Sequence, residues 1–322
     1  MGSFYLKGNN MESMIETLFN TLDAKTKELQ QDNGHSFIEN LGLAMEDIYM
    51  NQREMLEQST LSDRRKAFQF AYLSMLKEEM IQPNHQITPD SIGYFVSYMV
   101  KMFTEDVTDI TILDIASGTG HLSATINEQN PDKSFQHALV EVDPVLARVS
   151  VHLANFLEVP FDIYPQDAMM PLQVDEVDVV VGDLPVGYYP VDERSHEMKL
   201  GFKEGHSFSH HLMIEQSVQG LKPGGFAMLI VPSQLFEYDR VEQLQQFIAT
   251  ETYMQAFLNL PKSLFKTESA QKSILVLQKK PLENSLPVEV LLANIPDFKD
   301  SQAMKKFLDE FNEWFEINRK NK

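Results

Sequence analysis

The residues with the clearest chemical content are acids that follow short β-branched runs. Asp114 closes the run Ile110-Thr111-Ile112-Leu113, Glu141 and Asp143 follow Phe135–Val140, and Asp167 follows Phe161–Tyr164. Between the first acid and the next helical stretch lies Ala116-Ser117-Gly118-Thr119-Gly120-His121-Leu122. Such a turn of small residues lets backbone amides approach a ligand closely, and its glycines tolerate a positive φ. A pyrophosphate-binding turn of the G-x-G-x-x-G type would place its third glycine at Ser123, and a P-loop would carry Gly-Lys-Ser/Thr; neither is present. A carboxylate at the strand end repels phosphate but accepts hydrogen bonds from an ammonium group or its ordered water. The pattern therefore favours a cationic, phosphate-free ligand such as S-adenosylmethionine, cradled between Ile112 and Leu122. Glu141 falls where a ribose hydroxyl pair is held, about twenty residues on, and Asp167 can accept from an adenine amino group. Each acid alone also reads as a helix cap or a solvated loop residue; three at successive strand ends read as one cofactor site.

These acids need a sheet to bring them together. Strand runs are expected at Ile110–Ile115, Phe135–Val140, Phe161–Tyr164, Val177–Val181, Phe226–Val231, Gln255–Leu260 and Ser273–Gln278. The intervening segments are long enough to cross over as helices, which predicts an α/β fold with a doubly wound, mostly parallel seven-stranded sheet and one reversed edge strand. The chain then runs through Val288–Ala293 to an amphipathic helix carrying Met304, Phe307, Leu308, Phe311 and Phe315. Upstream, Thr88 and Pro89 read as N-cap and first residue of a helix with Ile92, Phe95, Val96, Met99 and Phe103 on one face. Residues 11–82 show helical spacing throughout, from Met11, Met14, Ile15 and Leu18 to Phe68, Tyr72 and Met75, with Gly34, Gly42 and Ser59–Ser62 as breaks. The division expected is an N-terminal helical domain over 1–85 and the sheet domain over 86–322. Met1–Asn10 read as polar and non-helical, with Met11 as an alternative start.

Taken in order, several segments resemble the N6-adenine DNA methyltransferase family, above all the modification subunits of type I restriction systems. Gln86-Ile87-Thr88-Pro89 is similar to the segment that closes over the methionine end of the cofactor, and Leu113–Gly120 to the glycine motif. Glu141-Val142-Asp143-Pro144 resembles the ribose-binding motif and Gln166-Asp167-Ala168 the adenine-binding one. Leu221–Phe226 with Ile230-Val231-Pro232 resembles the approach to the fifth strand, and Leu260–Phe265 with Ile274–Lys279 the last two strands. The likeness spans about residues 85–280. It implies a class I, Rossmann-like methyltransferase fold that binds S-adenosylmethionine and methylates an amino nitrogen, adenine N6 in DNA first. The family's catalytic motif, Asn or Asp followed by Pro-Pro and an aromatic residue, matches Asp183-Leu184-Pro185-Val186-Gly187-Tyr188-Tyr189 in part. An amine nitrogen whose lone pair is delocalised into a ring needs its hydrogens accepted by a side-chain oxygen and a rigid carbonyl, while a ring stacks on the base. Asp183 and Pro185 fit those roles. Leu184 replaces the first proline and is expected to loosen the turn; Val186 cannot stack, which leaves Tyr188 or Tyr189 as the substitute ring.

Two further features are weighed against blander readings. His206, His210 and His211 have partial metal-pair spacing but read as helix-entry and surface histidines, and no metal is expected. Tyr188–Gly205 is long and charged and reads as a lid or a surface loop. The 322 residues carry 27 Lys and Arg against 47 Asp and Glu, a net charge of −20, which disfavours a phosphate-gripping face. DNA as a partner therefore implies a second protein that supplies target recognition; the alternatives are RNA or protein as acceptor, or a cofactor-binding relative without activity. There is no cysteine, no apolar run long enough for a bilayer and no signal peptide, so a cytoplasmic location without membrane contact is expected.

Overall fold

A computed structural model describes residues 13–76, 86–238, 240–282 and 289–319. The readings placed on Met1–Asn10, Met11 and Val288 lie outside the described residues. The chain forms two compact units: one drawn from Met1–Pro83 with Arg148–Val159, the other from Asn84–Ala147 with Pro160–Lys322.

The first unit is helical, with α1 (Met14–Asp32), α2 (Phe37–Asn51), α3 (Arg53–Glu57) and α4 (Leu61–Met75). Ser13, Ser36 and Thr60 start α1, α2 and α4 by accepting from backbone N–H groups, and the last two form full capping boxes with Glu39 and Asp63. The apolar stripes bury Leu18, Leu22, Leu41, Met45, Ile48, Phe68 and Tyr72. Gly34 lies between α1 and α2 as expected, but Gly42 does not break a helix; it sits inside α2. A Cβ there would meet His152 at 3.0 Å, so the glycine serves close packing within the unit. Residues 148–159 are tied in by ion pairs: Glu158 accepts from Arg53 at 2.8 Å and Arg64 at 2.6 Å, and Arg148 donates to Glu39 at 2.8 Å.

The second unit is built on eight strands: β1 (Asp109–Asp114), β2 (Ser134–Glu141), β3 (Phe161–Pro165), β4 (Val177–Asp183), β5 (Leu221–Pro232), β6 (Thr252–Asn259), β7 (Lys272–Lys279) and β8 (Leu291–Asn294). Their order is β3-β2-β1-β4-β5-β7-β6-β8, all parallel to their neighbours except β7. The α/β, doubly wound expectation holds with one strand more. The reversed strand, however, is not at an edge. The turn after β6 returns β7 between β5 and β6, and β8 then takes the edge beside β6. The strands alternate side chains between two apolar layers. On one face α5 (Asp90–Phe103), α6 (His121–Gln129) and α11 (Ser301–Arg319) cover Ile112, Val179, Val181, Ile230 and Ile274; on the other α9 (Ser209–Gln219) and α10 (Val241–Glu251) cover Leu113, Val180, Leu229 and Leu275. The remaining helices are α7 (Pro144–Leu157) and the short α8 (Asp192–Ser195). Because β1, β2, β3 and β4 run parallel, Asp114, Glu141, Pro165 and Asp183 all end at the same side of the sheet. Among the described residues no helix is long and apolar enough to cross a membrane.

Candidate active site

The turn after β1 is a tight cradle. Gly118 and Gly120 take left-handed φ values of 55° and 80°, and a Cβ on Gly118 would meet nothing within 4 Å. The Ser117 amide donates to Val140 at 3.0 Å and the Ile115 amide to Val181 at 3.0 Å, which seats the turn between β2 and β4. Leu122 is buried one residue into α6. Asp114 is only 1% exposed. Its Oδ2 accepts from Ser123 at 3.0 Å, while Oδ1, Ser117 Oγ and Thr119 Oγ1 are buried without a hydrogen-bond partner. Burial pushes the Asp114 carboxyl up to about 7, helped by the neighbouring charges of Glu141 and Asp183 and opposed by Ser123 and the Ala116 amide. Orphaned polar atoms around an open glycine are what a polar, cationic ligand would satisfy.

Glu141 is bound into the same cradle. Its Oε2 accepts from the Gly118 amide at 2.8 Å and its Oε1 from the Asp143 amide at 2.8 Å. Burial raises its carboxyl above the ordinary value, with those amides working against the shift. Val142 beside it is exposed. Asp143 turns its Oδ1 to the Val145 and Leu146 amides and caps α7. Asp167 accepts from the Met169 amide at 2.9 Å and from the Tyr189 hydroxyl at 2.6 Å, so both its oxygens are engaged. Ala168 is buried and its carbonyl accepts from Gln216.

At the end of β4, Asp183 is held from two other elements. Thr88 Oγ1 donates to its Oδ2 at 3.1 Å, and Lys272 Nζ donates to its Oδ1. Thr88 is therefore not the cap of α5, which starts at Asp90 behind Pro89 without a side-chain cap. Sequence reasoning missed Lys272 altogether: 89 residues separate it from Asp183, and only the return of β7 beside β5 brings it near. Leu184 does not loosen the turn. Its side chain is fully buried and its N–H donates to Ile230 at 2.9 Å, a bond that proline could not make. Pro185 follows, and Val186 is 53% exposed. Tyr188, 62% exposed, stacks on Phe208 with centroids 5.0 Å apart and rings at 18°; Phe208 in turn stacks on His210 at 5.4 Å and 30°. Tyr189 is buried instead, its amide donating to Ser207.

His210 and His211 are buried, not on the surface as the sequence suggested, and burial lowers them to about 3 and about 4. They pack with Phe208 and Tyr238 in an apolar layer. Glu215 accepts from the Lys199 and Leu200 amides at 3.0 and 2.7 Å and from the Gln219 side-chain amide at 2.9 Å, which engages both of its carboxylate oxygens. The same bonds, with Ser207 Oγ accepting from the Phe202 amide at 2.8 Å, pin the segment after Tyr188 to the body of the unit.

In an open α/β sheet of this order, ligands bind outside the carboxyl ends of the strands, where the acids of β1, β2 and β4 gather. Residues 78–317 match the family model described as N-6 DNA Methylase, and the chain belongs to that family of methyltransferases. Among its relatives, the uncharacterized protein YtxK of Bacillus subtilis is 45% identical over 251 residues, covering 78% of this chain and 76% of its own. A protein of Listeria monocytogenes whose crystal structure is assigned to the class I S-adenosylmethionine-dependent methyltransferases is 34% identical and covers 94% of this chain and 99% of its own, with a TM-score of 0.87. The methyltransferase subunit of a type I restriction-modification system from Streptococcus thermophilus shares the fold at 12% identity, with a TM-score of 0.64 over 93% of this chain and 74% of its own.

Proposed function

We propose that the chain binds S-adenosylmethionine at the β1 turn and transfers its methyl group to an amino nitrogen, the exocyclic N6 of adenine in DNA being the acceptor that the family points to. The observation that carries the reading is the cradle itself: buried, unpartnered oxygens of Asp114, Ser117 and Thr119 around the open Gly118, with Glu141 adding negative charge nearby. These residues fit a cationic nucleoside. When bound, the cofactor supplies an electrophilic methyl group on a sulfonium. Ala116, Ser117, Gly118, Gly120 and Leu122 would hold it by backbone and shape, with Thr88 and Asp114 at its amino-acid end. Glu141, Val142 and Asp143 would take the ribose side, and Asp167 and Ala168 the adenine side.

Asp183 has oxygen lone pairs left over after its two hydrogen bonds, so it can accept hydrogens from an acceptor amine. The carbonyl region of Pro185 would share that task. Tyr188, not Val186, offers the stacking ring, since it continues the column from His210 and Phe208 into solvent. Transfer of a methyl group demands positioning more than strong acid–base help. The net charge of −20 favours a partner protein that brings the nucleic acid. In this reading the helical part over 1–85 is a domain separate from the methyltransferase domain over 86–322.

A labelled-methyl assay against DNA, RNA and protein extract tests the proposal. Transfer to DNA that yields N6-methyladenine supports it, and Asp183→Ala should abolish that transfer while cofactor binding stays measurable. Persisting activity in that variant would remove Asp183 from its role. Cofactor binding without transfer to any of the three would support the alternative, a binding protein, for which the exposed Val186 speaks.

A further inference from the structure

The pairing of Lys272 with Asp183 is unusual for a site that would hold a cation. Three carboxylates, Asp114, Glu141 and Asp183, crowd the carboxyl ends of β1, β2 and β4, yet the ammonium group donates to only one of them. The pair is partly shielded, with Lys272 26% and Asp183 23% exposed. Its position is set by the sheet: Asp183 lies opposite Ile230 on β5, and Lys272 opposite Pro232 on the other side of the same strand. Thr88 holds the second oxygen of Asp183 from the segment before α5.

A carboxylate has about four lone-pair positions, and these two donors use two of them. What remains is a fixed oxygen acceptor whose charge is cancelled locally. A side-chain amide would offer the same thing.

We propose that Lys272 is a positioning residue that makes Asp183 a charge-compensated acceptor, one that takes amine hydrogens without adding a third net negative charge to the cofactor site. This rests on the reading that the cradle binds S-adenosylmethionine. Compensation leaves Asp114 and Glu141 as the charges that select the cation, while Lys272 and Thr88 orient the acceptor end.

The test compares S-adenosylmethionine with S-adenosylhomocysteine, its neutral thioether counterpart, by calorimetry; the ratio of their Kd values reads local charge and needs no acceptor. Lys272→Met should shift the ratio about tenfold toward the sulfonium, the scale of one partly screened unit charge within a small site. Asp183→Asn, which leaves the lysine uncompensated, should shift it about tenfold the other way. The double variant should return to within about twofold of the original ratio, and Lys272→Arg should keep it. Thermal unfolding of each variant establishes that it folds; should Lys272→Met fail to, Asp183→Asn, the double variant and Lys272→Arg still decide. Unmoved ratios in folded variants would overturn the inference and spare the cofactor reading. So would a double variant that behaves like Asp183→Asn, since the carboxylate would then act on the cofactor without reference to Lys272. Failure of the unaltered protein to bind either compound would overturn both.

Discussion

Burial has made Asp114 reluctant to ionise, and that places its titration near neutrality. Its folded value of about 7 stands above an unfolded 3.8, so the fold prefers the protonated acid. Below about pH 4 both states hold the proton; between about pH 4 and 7 only the folded one does, and stability falls as pH rises through that window. A shift of this size corresponds to roughly 4 kcal/mol at most, shared with Glu141 and Asp183, which repel the same charge. A cationic ligand reverses the preference, since it needs the carboxylate. Affinity for S-adenosylmethionine should therefore rise by up to about tenfold per pH unit below 7 and level off above it, with proton release on binding seen in buffers of different ionisation enthalpy. Asp114→Asn should bind weakly and without that pH dependence. At the acceptor side, Tyr188→Ala should lower kcat/KM at least about fivefold while the cofactor Kd stays put, because base–aromatic stacking contributes about 1–3 kcal/mol. Tyr188→Phe should keep the wild-type value.

The strand ends do the positioning, and β4 shows how. Leu184 continues the ladder one residue past β4, its N–H bonded to the Ile230 carbonyl and its side chain in the apolar layer that also holds Tyr189 and Leu229. That fixes where Pro185 begins and so where the next carbonyl points. Leu184→Pro removes the donor and leaves a buried carbonyl unpaired, at a cost of about 1–3 kcal/mol in urea unfolding. A variant as stable as the original would show that the turn is held some other way. The glycine motif and the acids at the ends of β1, β2 and β3 were legible in the sequence because they lie within a residue or two of recognisable apolar runs. Lys272 was not, because a lysine at the start of an apolar strand carries no local mark of the strand it will lie beside. Thr88 was legible as a polar start to a helix but not as a donor to Asp183, a contact across 95 residues.

At the level of the whole molecule, the first unit completes its core with residues 148–159, a segment that follows β2 in the chain. Glu158 closes this arrangement by accepting from Arg64, which is nearly buried, and from Arg53. Both arginines, the Arg64 bond first, hold its carboxyl below the ordinary range. Their contribution is thus present above the unfolded value near 4.5 and is lost as pH falls through the lowered one. Glu158→Gln should cost about 1 kcal/mol at neutral pH, a figure kept small because the carboxylate is itself partly exposed, and the difference should shrink in circular-dichroism melts as pH falls below 4.5. An unchanged melt would mean that the two arginines are satisfied by water.

By itself the sequence determined the alternation of strands and helices, the glycine turn and the acids at successive strand ends, since each is a local pattern of burial and backbone freedom. It pointed as well to the family and to Asp183 as the residue that would meet the acceptor. Only the tertiary structure decided that β7 lies inside the sheet, that His210 and His211 are buried, that Leu184 strengthens the turn, and that Asp183 is paired with Lys272. Each of those depends on which strands become neighbours, and strand neighbours far apart in the chain are chosen by the packing of whole layers.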